Sequence, residues 1–369
     1  MTRPRIPFLS LVPETDDAAT VRQAVERVIS RGWFVLGPEV DAFETEFASA
    51  MGAAHAVGVG TGTDAIALIL RALNIGPGDE VITTPVSAAY TALAVMMAGA
   101  RPVFADIDPS RLTIDPEHVA RAVGPRTRAI LPVHLYGQPA AMSALERLAS
   151  RYNLALVEDC CQAHLATAAG RPVGTIGIAG AFSFYPTKNL GALGDGGAVV
   201  TNDRSLADRI RRLRNGGQVD RYRHAEFGVN SRLDEVQAAV LRARLPRLAA
   251  WTARRRALAA RYRSALADGP VEVPAEHDPG HVYHLFAVRA AGRAELQARL
   301  ASDGIETLVH YPVPISRQPA MAGQNPHNCP EAVRVCDEVL SLPLHPGLTD
   351  HEVADVVTAL KGHYACVRS

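Results

Sequence analysis

Short apolar runs punctuate the first two thirds of the chain, and longer amphipathic stretches separate them. Runs of this length rich in valine, isoleucine and alanine read as buried strands. They predict strands at 56–59, 81–83, 102–107, 129–133, 155–158, 180–184 and 198–201. Between the first two, Ile66, Ile69, Leu70 and Leu73 recur at the spacing of a half-buried helix, predicted over 63–73. Strand, helix and strand in repetition specify a mostly parallel sheet with helices on both faces. In such sheets ligands gather at the carboxyl ends of the strands, and Asp159 closes the run at 155–158.

Near residue 240 the pattern changes. Residues 231–266 read as one long arginine-rich helix interrupted at Pro246, with Leu241, Leu245, Leu248 and Trp251 facing inward. A second, smaller α/β unit follows from about 271, with strand signals at 284–288 and 340–342. The division expected is a large domain over 1–245, including an N-terminal arm, and a linker helix plus small domain over 246–369. Arg254, Arg255, Arg256, Arg261 and Arg263 could line a nucleic-acid surface or a solvated helix face. Lys+Arg and Asp+Glu both total 38, without the basic excess that neutralises phosphates, so the solvated face is expected and no nucleic-acid partner.

Residues 81–100 carry no charge but contain Pro85, Ser87 and Gly99, which fits a buried strand and helix better than a membrane span. The five cysteines include an adjacent pair, Cys160–Cys161, and form no C-x-x-C motif. They read as free thiols of a reducing cytoplasm, with no metal site. The run at 6–12 ends in Pro-Glu-Thr-Asp-Asp without a small-residue cleavage site, so no signal peptide is expected.

The charge count hides an asymmetry. Of 38 basic residues, 36 are arginine and two are lysine, Lys188 and Lys361. Lys188 is the single charged residue between Arg171 and Asp195, in a stretch of glycines and apolar side chains. Desolvation lowers a lysine pKa and exposes the neutral amine that attacks a carbonyl to form a Schiff base. In an α/β enzyme that chemistry points to pyridoxal 5′-phosphate, which needs a carboxylate at its pyridine nitrogen and a cradle for its phosphate. Asp159 is the candidate carboxylate. Gly60-Thr-Gly62-Thr63-Asp between strand and helix, with Ser183, forms the candidate cradle.

Three longer segments carry a family resemblance. Val157-Glu-Asp-Cys-Cys-Gln-Ala-His164, Ser183-Phe-Tyr-Pro-Thr-Lys-Asn-Leu-Gly191 and Gly228-Val-Asn-Ser-Arg-Leu-Asp-Glu235 resemble the DegT/DnrJ/StrS sugar aminotransferases. So do Gly32-Trp-Phe-Val-Leu-Gly37 near the start and Leu342-Pro-Leu-His-Pro-Gly347 near the end. The resemblance implies an α/β, aspartate-aminotransferase-like fold (PLP fold type I), with a large mostly parallel sheet domain and a smaller C-terminal domain. It also implies a homodimer with shared active sites.

By motif, Lys188 would hold the Schiff base, Asp159 the ring nitrogen and Gln162 the ring hydroxyl. Gly62, Thr63 and Ser183 would hold the phosphate, and Asn230 would reach the neighbouring subunit's cofactor. Taken singly, Asn230 could instead open the following helix. An ungapped reading puts Ala88 where relatives place a stacking aromatic ring, with Tyr90 two residues later. Ser316 stands where a histidine commonly follows Tyr-Pro-x-Pro-x, and Leu165 where a glycine commonly follows Gln-Ala-His. Tyr185, His164 and Ser316 are the substrate-side candidates. Tyr185 and Leu190-Gly-Ala-Leu-Gly-Asp-Gly-Gly197 resemble members that aminate C3 of a keto sugar.

The expected activity is amino transfer from L-glutamate or glutamine to a nucleotide-linked keto-deoxysugar. The alternatives are a 4-keto-sugar aminotransferase, an aminocyclitol (keto-inositol) aminotransferase and a non-catalytic regulatory protein of the same fold. A sugar dehydratase of this fold would carry histidine at the Schiff-base position, which Lys188 opposes.

Overall fold

The computed structural model describes residues 5–11, 15–323 and 328–368. Helices α1 (Thr15–Arg31) and α2 (Pro38–Ala50) precede the central sheet. Its strands are β1 (His55–Val59), β2 (Glu80–Thr83), β3 (Arg101–Phe104), β4 (Thr127–Leu131), β5 (Ala155–Asp159), β6 (Ala179–Ser183) and β7 (Gly197–Thr201). They lie in the order β1-β7-β6-β5-β4-β2-β3. β7 is antiparallel to both neighbours, and every other pairing is parallel. The expected α/β fold with a mostly parallel sheet is the one observed.

Among the intervening helices, α3 (Gly62–Ala72) follows β1 and α4 (Tyr90–Met97) follows β2. Ile66, Ile69 and Leu70 of α3 are buried against Val57, Val157 and Val199 on one face of the sheet. Phe43 and Phe47 of α2 pack with Phe182 and Phe184 in the core of the other. Residues 81–100 form β2, a loop and α4, and among the described residues no helix is long and apolar enough to cross a membrane.

Two expected strands end early. β3 stops at Phe104 because Asp106 turns aside, its carboxylate accepting the N–H groups of Ile107, Glu331 and Ala332. β4 stops at Leu131, and Val133 makes only an isolated bridge to Asp159.

The long helix predicted at 231–266 is two helices, α5 (Glu235–Arg244) and α6 (Leu248–Leu266), joined by a 3₁₀ turn through Pro246. Residues 231–234 are not helical, and Asp234 is the N-cap. Glu235 is drawn away to another helix: its carboxylate accepts N–H bonds from Gly37, Glu39 and Val40 at 2.8–3.0 Å and so caps α2, whose own N-cap is a glycine.

Of the arginines of α6, Arg261 is exposed as expected, while others reach into the fold. Arg255 is buried and donates to the carbonyls of Tyr283, His284 and Leu344. Arg254 and Arg261 pair with Asp350, Arg256 reaches the carbonyl of His281 and Arg263 that of Pro274.

A second, antiparallel sheet pairs β8 (Phe286–Arg289) with β9 (Val339–Leu342). The strand expected from 284 starts two residues late because the His284 and Leu285 amides are spent on the carbonyl of Tyr136. Tyr262, Phe286, Leu296 and Leu342 form a core of their own here. Ile6 belongs to it too, bridged to Ile305, so this part of the N-terminal segment packs with the C-terminal unit.

Candidate active site

The carboxyl ends of β1, β5 and β6 converge on one place. Thr61 caps α3, its hydroxyl accepting the Asp64 N–H at 3.0 Å and its carbonyl the Ala65 N–H. The amides of Gly62 and Thr63 have no partner among the described residues, at the positive end of an 11-residue helix. Space is decided by glycine. A Cβ on Gly62 would lie 2.7 Å from Cys161 Sγ and 2.8 Å from Ser183 Cβ. One on Gly197, paired with Ser183 across β6 and β7, would lie 2.4 Å from the Thr61 carbonyl carbon. Ser231 braces the loop from outside, accepting from Gly60 N–H at 2.9 Å and donating to Asp64 at 2.8 Å.

Asp159 ends β5 with its carboxylate nearly enclosed. One oxygen accepts the Thr91 hydroxyl at 2.8 Å and the other the Cys161 amide at 3.1 Å. Lys188 lies in the loop after β6, half-buried, with its amide on the Tyr185 carbonyl at 2.8 Å. Burial lowers its pKa, and the nearby Cys161 and Asp159 pull it back in part. The neutral amine is therefore more accessible than in a free lysine. Cys161 is not a competing nucleophile, because burial and then Asp159 push its thiol well up.

Gln162 is fixed at both ends. Its Oε1 accepts the Tyr136 amide at 2.7 Å and its Nε2 donates to the Tyr311 hydroxyl at 3.1 Å. The Tyr136 hydroxyl donates to the His310 carbonyl. Burial pushes the Tyr311 phenol up to about 12, so it stays protonated at neutral pH. Ser316 is partly buried in the turn Ile315–Arg317, which the Ile315 amide ties to the Pro85 carbonyl at 2.8 Å.

Beside the site, Glu158 accepts from Gly174, Ile176 and Gly177 amides and from His134 Nε2, all at 2.7–3.0 Å. His134, Glu158 and Cys160 bring ligand atoms within 4.8 Å, yet this carboxylate already has four donors. The cluster is a hydrogen-bonded brace.

The other expected site residues stand apart in different ways. His164, expected on the substrate side, is fully enclosed among Phe47, Phe182 and Phe184, and neither ring nitrogen makes a hydrogen bond. Burial, with Lys188 nearby, pushes its pKa down to about 3, so it is a neutral core histidine. Tyr185 is exposed and donates its amide to Ser183 Oγ at 3.3 Å. Tyr90 opens α4 with 65% of its side-chain surface free, while the next residue, Thr91, holds Asp159. Asn230 is exposed and bridges Asn215, five residues before α5, so it does not open that helix.

Thr91, Tyr136 and Ser231 escaped the sequence reading because their contacts cross between distant segments. Tyr311 had a signal, the Tyr-Pro-Val-Pro motif that led to Ser316.

A phosphate-bearing pyridine aldehyde fits this donor set. Free amides and Ser183 lie where a Cβ would intrude, the Asp159 carboxylate closes a strand end, and a desolvated lysine lies within electrostatic reach of it.

Comparison with known proteins agrees. The chain is 49% identical over 363 residues to the dTDP-3-amino-3,4,6-trideoxy-alpha-D-glucose transaminase of Streptomyces venezuelae, covering 97% of this chain and 96% of that one. It is 48% identical over 361 residues to the erythromycin biosynthesis sensory transduction protein EryC1 of Saccharopolyspora erythraea, covering 96% and 99%. The crystal structure of S. venezuelae DesV superposes with a TM-score of 0.95, at 48% identity over 98% of both chains. The profile of the DegT/DnrJ/EryC1/StrS aminotransferase family matches residues 15–361, and the chain belongs to that family of pyridoxal 5′-phosphate-dependent aminotransferases.

Proposed function

We propose that the chain transfers an amino group from L-glutamate or glutamine to C3 of a nucleotide-linked keto-deoxysugar. The observation that carries the reading is the desolvated Lys188 beside Asp159 and the Gly62–Ser183 cradle. The 3-amino sugar in the name of the S. venezuelae relative supports the position of amination.

Gly62 and Thr63 amides and Ser183 would hold the phosphate, Asp159 the protonated pyridine nitrogen and Gln162 the ring hydroxyl. When bound, the cofactor supplies an electron sink and carries the amino group between the two substrates. The Lys188 amine would act as general base at the donor's Cα and, once protonated, would return a proton as general acid. Thr91 and the Cys161 amide both donate to the Asp159 carboxylate and fix its orientation toward that point.

Tyr90 is the ring that would cover the cofactor in place of Ala88, and Tyr185 and Ser316 would meet the sugar. The same reading makes the protein a cytoplasmic homodimer. Asn230, exposed within one subunit, would reach the phosphate in the other. It also places the boundary of the small domain at 245/246, within the 3₁₀ turn between α5 and α6.

The purified protein is expected to show the visible band of a lysine-bound cofactor, bleached by L-glutamate and restored by a 3-keto sugar nucleotide. Lys188→Ala is expected to lose both the band and turnover, and retention of both overturns the assignment. The name of the erythromycin relative favours one second reading, a regulatory protein. A band that neither glutamate nor glutamine bleaches would select it.

A further inference from the structure

The residue after the lysine is fastened to a histidine from a distant part of the chain. Asn189 is buried, and its Nδ2 donates to the Val282 carbonyl at 3.3 Å. A carbonyl can only accept, which fixes the orientation of the amide and leaves Oδ1 facing His284 Nδ1 at 3.2 Å. An amide oxygen can only accept as well, so the His284 proton sits on Nδ1 and the lone pair on Nε2.

The histidine is pinned along its backbone too. Its amide donates to the Tyr136 carbonyl at 2.8 Å, and its carbonyl accepts from Arg255 at 3.2 Å. Two cations, Lys188 and Arg255, bear on the ring, with His310 and His164 beside them, and among the described residues Arg255 forms no ion pair with a carboxylate. Lys188 itself faces Cys161 and Asp159.

We propose that His284 is a positioning residue for Lys188, held by Asn189 as a neutral imidazole with its proton on Nδ1, so that no further cation stands beside the lysine amine. The pair serves two ends at once. Asn189 fixes the backbone next to Lys188 against the segment 282–284, and the acceptor it offers His284 is neutral. A carboxylate at position 189 would instead stabilise imidazolium. Burial and the charge of Lys188 already hold the His284 pKa well below the ordinary histidine value. The inference rests on Lys188 being the cofactor-linked lysine.

The test is the pH midpoint of the visible band of the holoenzyme. Asn189→Asp sets a carboxylate against Nδ1, lets His284 take a second proton and puts a positive charge near the lysine nitrogen. In the double variant with His284→Gln the same carboxylate stands alone, and since it acts on the lysine nitrogen in the opposite sense to an imidazolium, the midpoint of Asn189→Asp is expected to lie about one pH unit below that of the double variant. Equal midpoints in the two variants overturn the proposal.

A second measurement uses the unaltered holoenzyme. With ¹⁵N-labelled histidine, and His284→Gln to assign the signal, His284 is expected to show one protonated nitrogen, Nδ1, throughout pH 6–8. A proton on Nε2, or an imidazolium, overturns the proposal whether or not Asn189→Asp folds. Failure of the underlying reading is distinct from either result: the unaltered protein would then show no lysine-linked band at all.

Discussion

The two sides of the site are built differently. On the sheet side, Gly62, Asp159, Ser183 and Lys188 sit at or just beyond the ends of β1, β5 and β6, in positions set by strand pairing and close backbone approach. On the other, overlying side, residues 281–285 and 310–316 meet the loops at the strand ends through separate hydrogen bonds. Gln162 donates to Tyr311, Tyr136 to the His310 carbonyl, Ile315 to the Pro85 carbonyl and His284 to Asn189. The first side is rigid because each position is over-determined by backbone. The second is adjustable, since a single polar contact has a net worth of only about 1 kcal/mol. On the proposed reading, covalent chemistry and phosphate holding would fall to the sheet, and substrate fit to the overlying segment.

That contrast can be broken from the sheet side first. Asp159→Asn keeps the shape but loses the charge that would hold the pyridine nitrogen protonated. A fall of about 10²- to 10³-fold in turnover is expected with the fold intact, measured by steady-state kinetics and circular dichroism. Gly197→Ala drives a Cβ into the Thr61 backbone, which cannot swing aside as a side chain can. The expected cost is about 3 kcal/mol of stability, with loss of cofactor retention, read by denaturant unfolding of apoprotein and by dialysis.

A pH measurement compares the two sides directly. His164 in the sheet core and His281 on the overlying segment are both pushed down to about 3, chiefly by burial. Below the ordinary value of about 6.5 the unfolded chain binds protons that the native state refuses, so stability is present above that pH and lost as pH falls toward 3. His164→Leu removes one such group. The stability lost between pH 6.5 and 5.5 is expected to shrink by about 1 kcal/mol in denaturant titrations at the two pH values.

The smallest effect belongs to the overlying side. Tyr311→Phe deletes only the acceptor for Gln162 Nε2 and is expected to weaken cofactor binding about fivefold, measured by fluorescence titration of apoprotein. A loss as large as that of Asp159→Asn would erase the distinction between the two sides.

The legibility of the sequence follows the same division. The seven strands of the main sheet were readable from apolar runs, because a strand buried on both faces needs nothing beyond its own residues to announce it. Asp159, Gly62, Ser183 and Lys188 were readable because a strand end, a glycine turn and a desolvated lysine are local patterns. The role of Glu235 was not legible: it sits in a helical run but spends its carboxylate on the N-terminus of α2, nearly two hundred residues earlier. His164 misled: it lies two residues beyond Gln162 in the same motif, yet the chain turns it into the aromatic core. The arginines of α6 looked like a solvated face because nothing local reveals carbonyls delivered from 281–284 and 344.

By itself the sequence determined the alternating architecture, the order of the sheet-borne groups and the singular lysine, since each depends on residues within a few positions of one another. Only the tertiary structure decided that Thr91 holds Asp159, that His164 is core, and that Asn189 and His284 meet. Those outcomes depend on how one segment lands on another dozens of residues away, where the last few ångströms of packing select which side chain touches which.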